Sequence, residues 1–200
     1  MNIRNLKNHS QRDATINTKD LETILNYVKV NDFHLYMYLS FVSYFFLRPL
    51  EVCRLKVKDI NLQDKVICVE IKQKEYKTKI IPDLMINEIT QLIENHGKEC
   101  FLFTPDGVAL SLTELDNRRN YFSRRFKKVR DFLKLSKNYT VYSFRHTYIT
   151  KVYKELRKEF NQETSLSKLR LITGHTSDAI HKYIHYIDAE LPEDYSELLK

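Results

Sequence analysis

Apolar residues recur every three or four positions along much of the chain, and this spacing predicts helices. We expect Thr18 to cap the first helix, with Asp20 and Glu22 in its first turn to suit the helix dipole. The apolar face of this helix consists of Leu21, Ile24, Leu25 and Val28. Residues 32–47 are apolar nearly all round, so the pattern predicts a central helix that is buried on every side.

Four further helices are expected, over residues 50–60, 83–97, 112–135 and 142–150. Pro49 suits the first position of the first of these helices, because proline lacks an amide donor that this position does not need. Asp83 opens the second helix and Gly97 stops it. Residues 157–168 are polar and predict a connection, with short helices after it.

Two short segments have the character of strands. Residues 65–71 and 78–81 alternate and are rich in β-branched side chains, with the basic sequence KQKEYK between them. This pattern predicts a hairpin with a basic tip. The predicted fold is therefore mainly α with a small antiparallel β-hairpin or sheet, an α+β arrangement.

The length of 200 residues suits one globular domain with a short leader. Residues 1–17 are polar without an apolar period and are interpreted as a linker or leader. The domain is expected over residues 18–187, followed by a tail helix over residues 188–200. Only 3 glycines and 4 prolines occur, which disfavours a β-sandwich and glycine-rich nucleotide loops, so no nucleotide cofactor is expected.

The net charge of +7 and the pI of about 9.2 favour a polyanionic partner, with nucleic acid as the first candidate. The helix over residues 112–135 concentrates this charge, because Asp131 is the only acid between Arg124 and Lys137. The candidate DNA-binding residues are Arg124, Arg125, Lys127, Lys128 and Arg130. A solvated polar face without a partner is the alternative interpretation of this run.

The three cysteines and the apolar runs exclude several classes of protein. Cys53, Cys68 and Cys100 are odd in number and share no close spacing, so we expect buried thiols in a reducing cytoplasm and neither a disulfide frame nor a zinc site. The longest apolar run, over residues 39–47, is too short to span a membrane.

The stretch YSFRHTYIT places Arg145 among aromatic and β-branched residues. Tyr142 lies three residues earlier, so the two side chains share one helix face. An arginine fixed on a packed helix suits a bidentate grip on a phosphate. A structural pair with a carboxylate remains the alternative.

Four short sequence motifs, taken in their order along the chain, resemble those of the catalytic domain of tyrosine recombinases, the phage-integrase family of DNA breakage-and-rejoining enzymes. They are the R-x-x-E of FLRPLEV, a lysine in a hairpin that ends in I-P, the R-H-T of the YSFRHTYIT helix, and G-H followed by a tyrosine. The resemblance runs from about residue 21 to residue 187 and implies the catalytic-domain fold of that family.

The resemblance also implies roles for particular residues. Tyr183 is the nucleophile that forms a 3′-phosphotyrosyl link, with Tyr186 as a nearby competitor. Arg48 and Arg145 clamp the phosphate, and His175 donates a hydrogen bond to it. Lys74 corresponds to the general acid for the leaving 5′-oxygen, although Lys72, Lys77 and Lys79 surround it and remain alternatives. Glu51 corresponds to the acid that orients the arginine cluster, with a purely structural role as the alternative.

One position departs from the family pattern. The family usually has histidine three residues before the second arginine, where this chain has Tyr142. A phenol titrates near pH 10 and is a poor base at neutral pH, so we expect Tyr142 to donate a hydrogen bond or to position the nucleophile. His146 is interpreted as a helix-packing residue and not as a substitute base.

The resemblance implies double-stranded DNA as the partner and a homo-tetramer on DNA, with a monomer or weak association without DNA. The tail over residues 188–200 is expected to dock on a neighbouring subunit, with packing on its own domain as the alternative. The chain is expected to be the catalytic fragment of a longer recombinase in the bacterial cytoplasm, working on the nucleoid with no metal. The alternatives are a type IB topoisomerase and a DNA-binding protein that has lost catalysis.

Overall fold

The computed structural model describes residues 13–72 and 75–174. Its helices are α1 (Thr18–Asn31), α2 (Phe33–Tyr44), α3 (Pro49–Arg54), α4 (Ile86–Ile93), α5 (Leu115–Phe132), α6 (Val141–Glu159) and α7 (Gln162–Thr173). Its strands are β1 (Ile60–Asn61), β2 (Val66–Lys72), β3 (Glu75–Ile80), β4 (Phe101–Thr104) and β5 (Gly107–Ala109). Two single 3₁₀ turns, Val57–Asp59 and Asp83–Met85, lead into β1 and α4. The mainly helical α+β class that the sequence predicts is confirmed.

The chain divides into two compact units, Met1–Thr147 and Tyr148–Lys200, so the border falls within α6. The described part of the first unit holds α1–α5, both sheets and the beginning of α6. The described part of the second unit holds the rest of α6 and α7. In that unit Asn161 caps α7, because its side chain accepts a hydrogen bond from the Thr164 amide at 2.9 Å. Gly174 ends α7 in the left-handed conformation, at φ 69°.

Helix α2 is the centre of the first unit, as the continuous apolar pattern predicts. Every residue from Leu35 to Ser43 is buried. The ring of Tyr38 on α2 stacks on Phe122 of α5 with centroids 4.1 Å apart, and Phe103 of β4 meets both rings edge-on. Such a helix has no polar face because α1, α3, α4 and α5 cover it from different sides.

The larger sheet has the strand order β1-β2-β3, with antiparallel pairing throughout. Ile67 lies opposite Lys79, and Val69 lies opposite Lys77. Since side chains alternate between the faces of a sheet, Lys77 and Lys79 lie on the face that buries Ile67 and Val69. The predicted hairpin is present, and β3 begins three residues before the predicted start at residue 78.

Several predicted boundaries are wrong for local reasons. Asn17, and not Thr18, caps α1, because its side chain accepts from the Asp20 amide. Helix α2 ends at Tyr44, short of residue 47, because Phe46 adopts a left-handed conformation with φ 54°. The helix predicted after Asp83 starts as a 3₁₀ turn and ends at Ile93, before Gly97.

Other segments differ from the predicted type of structure. Residues 157–168 are not a connection, since α6 continues to Glu159 and α7 begins at Gln162. The predicted helix over residues 50–60 is only the single helix α3 followed by a 3₁₀ turn and β1. The β4–β5 hairpin was not predicted at all. The 157–168 segment has few apolar side chains, so its sequence shows no apolar period from which a helix could be predicted.

Residues outside the predicted domain and two of the thiols also differ from expectation. Ile16, in the predicted leader, is buried, and its amide donates to Thr147 Oγ1 at 2.8 Å. All three cysteines are free, but only Cys53 is buried. The prediction of buried thiols is wrong for Cys68, which is exposed on the outer face of β2, and for Cys100, which is partly exposed.

Candidate active site

The connection between α2 and α3 supplies the first part of the site. Phe46 is buried with φ 54°, a conformation that is costly for a bulky residue. Its carbonyl oxygen accepts a hydrogen bond of 2.8 Å from Arg145 Nε, which is 99 positions further along the chain. This bond fixes the plane of the Arg145 guanidinium, whose residue is only 2% exposed. The strained turn therefore aims a backbone acceptor at an arginine of α6.

Arg48 follows this turn and precedes α3. Its amide donates to Glu51 Oε2 at 2.8 Å, and its Nη1 donates to Glu51 Oε1 at 3.1 Å. Pro49 starts the helix, so the spacing R-P-x-E places the carboxylate back over the helix beginning. The Glu51 side chain is 4% exposed, whereas the Arg48 side chain is 44% exposed. Glu51 thus binds both the backbone amide and one guanidinium nitrogen of Arg48, whose side chain is partly exposed.

The third part of the site comes from the inward face of β3. Lys77 Nζ donates to Glu51 Oε2 at 3.0 Å, and the Lys77 side chain is 14% exposed. Lys79, two residues further, is buried. Arg48 and Lys77 therefore both bind the buried carboxylate of Glu51.

Positive charge exceeds negative charge in this cluster, and the pKa values respond. Burial opposes the charge of Glu51, but Lys77 and Arg48 outweigh it and hold the Glu51 pKa below its ordinary value. Burial and the neighbouring Arg48 and Arg145 outweigh Glu51 and lower the pKa of Lys77. Burial, Lys77 and Arg145 lower the pKa of Lys79 to about 8. Such an excess of fixed positive charge is suited to a bound anion.

The start of α6 positions the remaining predicted residues. Thr140 Oγ1 accepts from the Tyr142 amide, and Ser143 Oγ accepts from the Thr140 amide, both at 3.0 Å. The Arg145 guanidinium lies 5.9 Å from the centre of the Tyr142 ring, so the two side chains share a face as the spacing predicts. The rings of Tyr142 and His146 are 5.6 Å apart, and burial lowers the pKa of His146.

The structure therefore brings Arg48, Glu51, Tyr142 and Arg145 into one region. The predicted residues Lys74, His175 and Tyr183 lie outside the described residues. Lys77 and Lys79 are predicted from the sequence only as alternatives to Lys74, and their place beside Glu51 is not predicted. The register of the hairpin is the signal that could have found them, because it puts both lysines in step with buried positions.

The basic run on α5 is less uniform than its sequence. Arg124, Lys127 and Lys128 are exposed, whereas Arg125 forms an ion pair with Asp32, the cap of α2. The prediction that Arg130 belongs to an exposed basic face is wrong. Its residue is 9% exposed, and its guanidinium donates to the Lys137 and Tyr139 carbonyls and to Asp131.

Metal sites and membrane-spanning helices are both absent from residues 13–72 and 75–174. No group of three or more His, Cys, Asp or Glu side chains there could hold a metal ion. In the same ranges no helix is long and apolar enough to cross a membrane.

Comparison with known proteins shows the family of the chain. The model of the phage integrase family matches residues 14–190. The chain therefore belongs to the phage integrase family, as the four sequence motifs predict. A search of the curated proteins found no match.

Solved structures share the fold. XerA recombinase matches at 17% identity over 89% of this chain and 66% of its own, with a TM-score of 0.61. A lambda integrase dimer bound to a COC′ core site matches at 17% identity over 90% of this chain and 50% of its own, with a TM-score of 0.63. The Tn1549 transposon integrase in complex with circular intermediate DNA matches at 17% identity over 96% and 66%, with a TM-score of 0.61. The chain spans half to about two thirds of these proteins, and the expected recombinase catalytic-domain fold is confirmed.

Proposed function

We propose that this chain is the catalytic domain of a site-specific DNA recombinase that integrates or excises a mobile element. The observation that carries this proposal is the cation cluster of Arg48, Lys77, Lys79 and Arg145 around Glu51. A DNA phosphodiester is the anion that best suits it, since the transition state of phosphoryl transfer gathers negative charge on its non-bridging oxygens. Membership of the phage integrase family supports the same substrate.

The proposed reaction divides into two transesterifications. The phenol oxygen of Tyr183 attacks the phosphorus, the bond to the 5′-oxygen breaks, and a 3′-phosphotyrosyl ester forms. The phenol gives up its proton and the leaving 5′-oxygen gains one, so the products are an ester and a free 5′-hydroxyl. The reverse attack by a 5′-hydroxyl rejoins the strand. The ester conserves the bond energy, so the reaction requires no nucleotide cofactor and no metal.

The clustered residues divide the work by their geometry. The Arg48 guanidinium is held by Glu51 and partly exposed, and the Arg145 guanidinium is oriented by the Phe46 carbonyl, so both supply positive charge to the phosphate without reorganisation. Glu51 orients Arg48 through two hydrogen bonds. We assign Tyr142 a hydrogen-bonding or positioning role beside Arg145.

Three further roles come from the family pattern. We assign Lys74 as the acid for the leaving oxygen, His175 as a donor to the phosphate and Tyr183 as the nucleophile. The described contacts favour Lys74 over Lys77, because the ammonium of Lys77 already pairs with Glu51.

The proposed partner is double-stranded DNA, and the exposed Arg124, Lys127 and Lys128 are its candidate contacts on α5. Arg125 can add to this face only beside its ion pair with Asp32. We further propose a homo-tetramer on DNA, weak association without DNA, and a place on the bacterial nucleoid in the cytoplasm.

The test is covalent capture. The 200-residue chain is incubated in EDTA with a pool of random-sequence duplexes, the reaction is quenched in detergent, and protein-linked DNA is sequenced. The adduct peptide is mapped, with Tyr183→Phe as the control. An adduct at Tyr183 that disappears in the control supports the proposal.

Other outcomes point elsewhere. An adduct at Tyr186 keeps the reaction and overturns the assignment of the nucleophile. Relaxation of a plasmid that carries two captured sites, without exchanged products, indicates a topoisomerase. Sequence-selective binding without any adduct indicates a DNA-binding protein, and cleavage that EDTA abolishes indicates a metal-dependent nuclease.

A further inference from the structure

Glu51 is a buried carboxylate whose described contacts are few and specific. Oε1 accepts from Arg48 Nη1, and Oε2 accepts from the Arg48 amide and from Lys77 Nζ. A carboxylate that is 4% exposed stays ionised only when hydrogen bonds and opposite charges replace water. Lys77 is the contact that comes from a different element, since both other donors belong to Arg48.

We propose that Lys77 is a positioning residue that acts on the phosphate through Glu51 and Arg48. Its ammonium keeps Glu51 ionised and fixes the direction of Oε2, and Glu51 in turn fixes the Arg48 guanidinium. This inference rests on the proposed function, because it names what holds the phosphate clamp in place.

The location of Lys77 supports a role inside the protein and not on the DNA surface. It lies opposite Val69 on the inward face of the hairpin, and its side chain is 14% exposed. Lys65, in the turn between β1 and β2, offers a contrast, because its Nζ donates to Asp83 Oδ1 at 2.7 Å with side chains 54% and 83% exposed. Exposed pairs of the second kind contribute little, while burial makes the Lys77–Glu51 pair hard to replace by water.

The charges that face this pair come from three elements. Arg48 adjoins α3, Lys79 lies on β3, and Arg145 lies on α6. All three are cations, and Glu51 carries the opposite charge among them. Removal of Lys77 leaves Arg48 as the immediate partner of Glu51 and therefore raises the pKa of Glu51, since Lys77 is its strongest electrostatic support.

The first measurement is the rate of adduct formation at saturating concentrations of a captured duplex. Lys77→Met is expected to lower this rate by roughly 10²-fold, the scale of a small misplacement of a catalytic group. Lys77→Arg is expected to restore the rate to within about tenfold of the original, because a guanidinium can also pair with Glu51. A Lys77→Met rate within about threefold of the original overturns the proposal.

A double-mutant cycle with Glu51→Gln separates positioning from direct contact. If Lys77 acts through Glu51, Lys77→Met changes the rate less than about threefold once Glu51 is glutamine. An undiminished loss in the Glu51→Gln background shows that Lys77 acts on the DNA itself and overturns the proposal.

The pH profile provides a readout that a merely structural role does not move. In Lys77→Met the acid limb of the pH–rate profile of adduct formation is expected to shift to higher pH, since Glu51 is protonated more readily without the Lys77 ammonium. The pKa of the Glu51 carboxyl, followed by ¹³C NMR and assigned with Glu51→Gln, is expected to rise in the same variant. An unchanged Glu51 pKa contradicts the proposed coupling.

Two controls keep the outcome interpretable. Lys65→Met removes the exposed Lys65–Asp83 ion pair beside the same sheet and is expected to leave the rate unchanged. If Lys77→Met does not fold, as judged by circular dichroism, Lys77→Gln takes its place in the cycle. If the unsubstituted chain forms no adduct, the proposed function fails, and the Glu51 titration still decides whether Lys77 controls this carboxylate.

Discussion

The molecule contains two concentrations of positive charge, and they differ in what surrounds the cations. In the cluster around Glu51, Lys77 and Arg145 are largely buried, and their orientation is set by named bonds to Glu51 and to the Phe46 carbonyl. On α5, Lys127 and Lys128 are exposed to solvent. The first arrangement suits one phosphate at a fixed point, and the second suits a polyanion held loosely along a surface.

Charge in a sequence does not distinguish these cases. The five basic residues of the α5 run look equivalent in the sequence. In the structure Arg125 forms an ion pair with Asp32, and the Arg130 guanidinium donates to two backbone carbonyls and to Asp131. Lys77 appears in the sequence as part of a basic hairpin tip, yet it points inward. The burial of each cation and the group that it contacts, and not its residue type, indicate whether it stabilises the fold, acts on the phosphate or attracts DNA.

The largest expected effect tests the fixed cluster. Arg145→Lys is expected to lower adduct formation by about 10²- to 10³-fold, because an ammonium cannot reproduce the planar fork that the Phe46 carbonyl orients. The rate is measured at saturating DNA and at a temperature where circular dichroism shows the variant folded. A loss below about threefold would place the phosphate elsewhere.

The next effect concerns stability. Arg130→Ala is expected to lower the free energy of unfolding by about 1–3 kcal/mol, because the carbonyls of Lys137 and Tyr139 lose their buried donor. Urea unfolding measures the change. Arg124→Ala on the same helix is the matched control, and it is expected to change the free energy of unfolding by less than about 0.5 kcal/mol. Equal losses in both variants contradict the distinction drawn on α5.

A smaller effect tests the exposed face. The double substitution of Lys127 and Lys128 by alanine is expected to weaken DNA binding about equally for all sequences. It is also expected to reduce the salt dependence of log K by about 1 for each phosphate that these lysines neutralise. Fluorescence anisotropy across a salt series measures both quantities, and an unchanged slope removes these lysines from the interface.

The smallest expected effect is on the pH dependence of stability through His34. Burial, opposed by a hydrogen bond to the Leu102 carbonyl and assisted by Arg125, lowers the His34 pKa below 6.5. At acid pH the unfolded chain therefore binds a proton at His34 more readily than the folded chain does. The contribution of neutral His34 to the free energy of unfolding is complete above about pH 6.5, and it is lost as the pH falls through the lowered pKa of the folded state. Urea midpoints from about pH 7.5 to pH 5 measure the decline, and His34→Gln is expected to flatten it.

The sequence was sufficient for the features that depend on local pattern. The continuous apolar run predicted α2 as a buried helix, alternation predicted the β2–β3 hairpin, and the spacing of Tyr142 and Arg145 predicted their common face. The family and its fold followed from four short motifs in order. The first three signals are local because each depends on residues within a few positions of one another, and the family assignment adds only the order of short motifs along the chain.

Long-range partners were not predictable from such patterns. The bond from Arg145 to Phe46 spans 99 positions, and the pair of Arg125 with Asp32 spans 93. The left-handed conformation at Phe46 could not be predicted, because the position holds neither glycine nor asparagine. Such contacts depend on how distant elements pack, so the sequence could predict candidate site residues but not the contacts that hold them.

The most direct test of the account compares the two regions in one kinetic experiment. Adduct formation is followed over a range of captured-duplex concentrations for Arg48→Lys and for the Lys127/Lys128 double alanine variant. We expect Arg48→Lys to lower the rate at saturating DNA with little change in the half-saturating concentration, and the double variant to raise the half-saturating concentration alone. The reverse pattern would contradict the assignment of the cluster around Glu51 to the reacting phosphate and of the α5 face to binding.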